Sequence, residues 1–168
     1  MAIDKITSSG VASNVNTIKQ SDVWRLTSNK TADNTVISAN LERSDDASSG
    51  LVGTGMTESS GIFSFPETGI YLVMFQGYFS INSVPDNVTV RTEVTIDNSS
   101  YDQVAICSGS QTYSAGDTGS FSQAMIDVTD VANVKVKFVC ESFASSNLLY
   151  GQDDRNVTTF SFIRLGAT

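Results

Sequence analysis

The stretch GIYLVMFQGYF, Gly69 to Phe79, decides how this chain folds. Successive side chains of a strand point to opposite faces. One face of this stretch carries Tyr71, Val73, Phe75 and Phe79. The other carries Ile70, Leu72, Met74 and Tyr78, with Gln76 among them. Both faces are largely apolar, yet in a two-sheet sandwich only one face of a strand enters the core. The other needs a cover, because a large exposed apolar patch usually marks an interface. A patch shared by every copy is most simply covered by symmetric self-association. A loop from residues 34–57, folded back over the same strand, is the competing cover.

Turn signals surround this stretch at short spacing. Asp45-Asp46, Ser49-Gly50, Ser60-Gly61 and Thr68-Gly69 come before its body, and Pro85-Asp86, Asn98-Ser99, Ala115-Gly116 and Gly151-Gln152 after it. Between them lie short runs rich in Val, Ile, Thr, Phe and Tyr, the pattern of an all-β sandwich or jelly roll. In VTVRTEVTID, Val88, Val90, Val94 and Ile96 share a face with Thr92, opposite Thr89, Arg91, Glu93, Thr95 and Asp97. In VKVKFVCE, Val134, Val136, Phe138 and Cys140 face away from Lys135, Lys137 and Glu141. These strands have one dry and one wet face. In TTFSFIRLG, Phe160 and Phe162 share one face, Ile163 and Leu165 the other. One sheet is therefore expected to back onto water and the other onto a partner.

Composition removes several function classes. The 168 residues hold 10 Lys+Arg against 18 Asp+Glu, a net charge of −8. An acidic surface without a basic run repels phosphate backbones, so no nucleic-acid partner is expected. No run of 18 apolar residues occurs, so no membrane insertion is expected. The opening MAIDKITSSG lacks the basic and apolar regions of a secretion signal. Histidine is absent, and with it the commonest general base and metal ligand. Cys107 and Cys140 lie in apolar runs and read as small buried hydrophobes, with a disulfide between them as the alternative.

The carboxylate pairs Asp45-Asp46 and Asp153-Asp154 read as solvated turn residues, with a weak calcium loop as the alternative. Gly53-Thr54-Gly55 lacks the Gly-Lys-Ser/Thr of a phosphate loop. Ser59, Ser60 and the other serines have neither a histidine base nor a G-x-S-x-G elbow. No catalytic residue, cofactor or metal site is expected. Residues 1–22 are polar, with Ile3, Ile6, Val11, Val15 and Ile18 recurring irregularly. They read as a leader or docking arm ahead of a domain at 23–168.

The segment GMTESSGIFSFPETGIYLVMFQGYFS, Gly55 to Ser80, resembles the signature of the C1q/tumour-necrosis-factor-like jelly roll. The matching residues are Gly61, Phe63, Pro66, Gly69 and Tyr71. VTDVANV, Val128 to Val134, resembles the family's strand–turn–strand segment, and TTFSFIRLG its closing strand. The resemblance covers about residues 23–166. It implies a ten-strand jelly-roll sandwich that forms a homotrimer. It places Met74, Phe121 and Phe160 around a three-fold axis, with Leu72 and Phe162 beside them as trimer interface. Phe63, Phe65, Tyr71, Val73, Phe75, Ile126 and Ile163 would fill the protomer core. Met74 stands where the family has an aromatic residue, and Phe162 where complement-type members have glycine. No Gly-X-Y stalk precedes the domain.

The leader MAIDKITSSG and the following VWRLTS, Val23 to Ser28, are similar to small structural proteins of tailed bacteriophages, marine ones especially. That likeness implies a non-enzymatic virion protein: a fibre, knob or capsid-decoration subunit. It would bind other virion proteins through residues 1–22 and display the jelly roll outward, with a host-surface glycan or protein as a further partner. The alternative is a secreted bacterial C1q-like adhesion or carbohydrate-binding module. Tyr101, Tyr113, Phe143 and Tyr150 would be its candidate sugar platforms.

Overall fold

The computed structural model describes residues 18–46 and 48–168. Its first strands are β1 (Ser21–Leu26), β2 (Thr35–Val36), β3 (Leu41–Arg43), β4 (Leu51–Val52), β5 (Thr57–Ser59) and β6 (Ile62–Ser64). The long central strands follow: β7 (Gly69–Ile81), β8 (Asp86–Thr95), β9 (Asp102–Gln111) and β10 (Gly116–Val128). β11 (Lys135–Glu141), β12 (Leu148–Leu149) and β13 (Thr159–Gly166) complete the order. One sheet runs β10-β7-β13-β1-β3, and the other β5-β6-β11-β8-β9. These paths account for ten strands; β2, β4 and β12, two residues each, add short pairings at their flanks. All the strand pairings are antiparallel. The architecture is an all-β jelly-roll sandwich.

Local chemistry explains the frame. β5 and β6 are joined by Ser60 and Gly61, both at positive φ (54° and 82°), as a tight two-residue hairpin requires. A Cβ on Gly61 would stand 2.4 Å from the Ile37 carbonyl oxygen, so only glycine fits. β1 begins at Ser21, which takes Ser21 and Asp22 out of the expected arm and into the sheet. Residues 1–17 of that arm lie outside the described residues.

The core forms where the inward faces of the sheets meet. Phe63, Phe65, Tyr71, Val73, Phe75 and Ile126 are all buried in it. Phe160 and Phe162 require a correction. They are not interface residues but the centre of the protomer, 0% and 1% exposed. The Phe160 ring centroid lies 4.8 Å from that of Phe138 and 5.4 Å from that of Phe75, and Phe162 lies 5.0 Å from Phe63. Ile163 is corrected the opposite way: it is only partly buried and lies on the outer face, opposite Leu72. A one-residue slip in register exchanges every side chain of a strand between faces. The family-based placement of β13 was out by that one residue.

The second sheet backs onto water. Val88, Val90, Thr92 and Val94 of β8 point inward with Val136, Phe138 and Cys140 of β11. Outward, Arg91 donates to Glu141 at 3.0 Å, and Lys137 pairs with Glu93 at 3.3 Å. Ile96 falls outside this alternation, because β8 ends at Thr95 and leaves it exposed in the turn.

Cys107 and Cys140 are both buried free thiols. Val90 of β8 pairs with Cys107 on one side and with Cys140 on the other. Two strand spacings of about 4.8 Å each separate them, beyond the roughly 7 Å limit for a disulfide. Burial pushes the Cys140 thiol from 9.0 up to about 12. Its neutral form therefore stabilises the fold below pH 9, a contribution lost as pH rises from there towards 12. Iodoacetamide at pH 8 is expected to leave both thiols unlabelled in the native protein and to alkylate both in urea. Mass spectrometry of the two samples checks this, and native labelling of Cys140 would contradict its burial.

Candidate functional site

The candidate site is a surface, built from the outer face of the first sheet and one side of the sandwich. Register aligns the outward residues in rows. Met125 of β10, Leu72 of β7 and Ile163 of β13 form one apolar row across three strands. Gln123, Met74 and Ser161 form the next, then Phe121, Gln76 and Thr159. Met125 is 68% exposed and Phe121 53%, while Leu72, Met74 and Ile163 are partly open. Leu72, Met74 and Phe121 thus share the outer face, while Phe160 and Phe162 stand behind it. Met125 is not among the interface residues that the family resemblance implies. The alternation that turns Phe121 outward turns Met125 outward too.

Among the described residues of 34–57, β2 pairs with β11, β3 and β4 with β1, and β5 with β6, so none of these strands pairs with the strands of this row on its outer face. Glu42, Asp45 and Asp46 gather instead on Arg25 of β1. There Arg25 points to the outer face beside Thr159, yet is only 2% exposed. Its guanidinium donates to Asp45 at 2.6 Å and Asp46 at 3.0 Å, with Glu42 at 3.4 Å. The adjacent carboxylates read from sequence as solvated turn residues are therefore partners of a buried cation. This ion cluster bounds the apolar face on the β1 side. Among the described residues no group of three or more His, Cys, Asp or Glu side chains is arranged to hold a metal ion.

The two sides of the sandwich differ. On one side the terminal strands are β3 and β5, three residues each, carrying Glu42, Arg43 and Glu58. Short, charged edges resist pairing with another chain. On the other side the terminal strands are β9 and β10, ten and thirteen residues long, lying side by side. Residues 103–111 and 118–126 of these strands contain no charge and no proline. Val104 and Ile106 of β9 are about half exposed, at 47% and 50%. Such edges are normally covered.

The candidate sugar platforms separate. Phe143 is buried, Tyr150 packs at a tilt against Tyr78 with ring centroids 5.5 Å apart, and Tyr101 lies under the Lys137 ammonium at 3.8 Å. Only Tyr113, 96% exposed at the tip between β9 and β10, projects freely.

Known structures share this arrangement of strands. An Eiger TNF from S. frugiperda superposes with a TM-score of 0.61 at 13% identity, over 88% of this chain and 93% of that one. Murine APRIL superposes with a TM-score of 0.57 at 15% identity, over 88% of this chain and 100% of that one. This chain has the TNF-like jelly-roll fold. At such identities the likeness is one of fold alone. No family model matches the sequence, and no curated protein matches it. Among the described residues, β9 and β10 end their sheets, and the Met125–Leu72–Ile163 row lies on the outer face.

Proposed function

We infer that this chain is a non-enzymatic, homotrimeric assembly and recognition module. The asymmetry of the sandwich carries that reading. An edge whose central residues carry no charge and an apolar face lie on different sides of the protomer. An edge packed on a neighbour's face is a heterologous contact, and such contacts form a ring when the rotation between neighbours closes. Phe121 belongs to both surfaces, since it sits on edge strand β10 and points out from the face. Light scattering is expected to give about three times the 17.9 kDa protomer mass across a range of concentrations. A concentration-independent protomer mass would end the proposal.

The setting we infer is a bacteriophage virion, on the likeness of the leader and the VWRLTS segment to phage structural proteins. The placement of the ends supports a base-and-tip arrangement. Gln20 is tied to the base of the sandwich: its side-chain amide donates to Glu67, and its backbone carbonyl accepts from Arg164 N–H. The preceding chain thus leaves from the base. The loops after β1, β7, β9 and β11 lie at the opposite end, where Lys30 bridges Leu149 and Gly116 pairs with Ile81. Residues 1–17 would anchor the module while these loops face outward. A chain starting at Lys19 keeps every contact of Gln20. It should form the same trimer but fail to enter particles; normal incorporation would place the anchor in the jelly roll.

A further inference from the structure

At the loop end, a cavity of about 220 Å³ opens between residues 29–32 and 38–40. Its walls are fixed from several directions. Thr27 N–H donates to the Asn40 carbonyl at 2.8 Å, and the backbones of Lys30 and Leu149 exchange two bonds of 2.9 Å. Asn29 accepts from Gly151 N–H at 3.0 Å, and Asp33 from Phe143 N–H at 3.2 Å. Gly151 packs so closely on Ser28 that a Cβ there would lie 2.5 Å from its backbone. The cleft is therefore formed before any ligand arrives, which lowers the ordering cost of binding.

The lining is chemically distinct from the rest of the surface. In a chain of net charge −8, no carboxylate lines this cleft. Ala32 and Ala39 supply methyl surface, while Lys30, Thr31, Ser38 and Asn40 supply polar groups. Among the described residues, the Lys30 ammonium, the Thr31 and Ser38 hydroxyls and the Asn40 amide have no hydrogen-bonding side chain or backbone partner. These groups are free to bind a ligand. A cation would find no counter-charge, and an extended peptide would find no apolar trough.

We propose that this cleft binds one ring of a saccharide. Hydroxyls of the ring meet the amide, the hydroxyls and the ammonium; its C–H face lies on the two alanine methyls. Ligand clefts typically span about 300–1,000 Å³, so this smaller one accommodates a single ring with weak affinity per site. Three copies presented together would raise the apparent affinity by effective concentration. That gain alone rests on the trimer reading.

Saturation-transfer NMR of the full chain with the methyl glycosides of galactose, glucose, mannose, N-acetylglucosamine and glucuronic acid tests the site. At least one glycoside is expected to take up saturation at millimolar concentration. Ala39→Trp, which fills the cleft from an exposed position, and Lys30→Ala should each abolish or sharply reduce it, with circular dichroism unchanged. Transfer to none of the glycosides, or transfer that survives Ala39→Trp, overturns the proposal. Survival would move recognition elsewhere, with Tyr113 as the next candidate. Light scattering on the same samples separates the two readings. A monomer that binds keeps the cleft and loses the trimer; a trimer that does not bind loses only the cleft.

Discussion

Asp22→Ala should lower the stability of the fold by about 2–4 kcal/mol, because it takes one buried acceptor from several donors at once, and a buried donor left without its partner costs roughly 1–3 kcal/mol. Asp22 is 2% exposed, on the inward side of β1 near its end. Its carboxylate accepts from Arg43 Nε at 2.8 Å, Arg43 Nη2 at 3.1 Å, Trp24 Nε1 at 2.9 Å and Met56 N–H at 2.7 Å. One side chain thus joins β1, its edge neighbour β3 and the segment entering β5. Without it, the Arg43 guanidinium, the Trp24 indole N–H and the Met56 amide all lose an acceptor. Arg43 also lies over the Trp24 ring at 4.8 Å, so the disturbance reaches the indole. Urea denaturation followed by Trp24 fluorescence measures the loss, since Trp24 is the sole tryptophan. Asp22→Asn keeps the volume but turns an NH2 group toward these donors and should also destabilise. A midpoint within experimental error of the parent for Asp22→Ala would mean the clamp is not formed.

Phe160→Asp and Phe121→Asp should fail in different ways. Phe160 is fully buried among Phe63, Phe75 and Phe138. Removing a buried phenylalanine ring costs about 3–5 kcal/mol, and an unpaired buried carboxylate adds several more. Against a typical domain stability of about 5–15 kcal/mol, the protomer should not fold. Phe121 is half exposed on the outer face. Its replacement should leave the β-sheet circular dichroism intact and release monomers, because an apolar contact becomes a cluster of like charges. If Phe121→Asp remained trimeric and equally heat-stable, β10 would not be at the interface. If Phe160→Asp folded normally, the register of β13 would be wrong.

Period two was legible throughout β7, β8 and β11, because each strand is long enough for its alternation to stand out from noise. The turn pairs were legible because Ser60-Gly61 meets a requirement for positive φ that few residues satisfy. The two-sided apolar character of Gly69 to Phe79 pointed to an outer face needing a cover, and Leu72 and Met74 do lie there. The Ser21 start of β1 was hidden, because Ser and Asp carry no strand signal by themselves. Asp22 is in the sheet on account of Arg43 and Met56, 21 and 34 residues away.

The class of structure was readable from the residues alone: alternation in the long strands, turns between them, and an acidic surface without a basic patch. These are local properties, set by the chemistry of neighbouring residues. Which face of β13 goes inward was settled by long-range pairing, since Phe160/Phe162 and Ile163/Leu165 are both apolar alternatives. Pairing with β7 and β1 chose the phenylalanines, which fill the space between Phe63, Phe75 and Phe138. The tertiary structure also decided that Asp45 and Asp46 cap a buried Arg25 and that Val90 separates the two cysteines. It left β9 and β10, uncharged along 103–111 and 118–126, as the long edge. Each of these depends on which strands become neighbours, and strand neighbours in a jelly roll are distant in sequence.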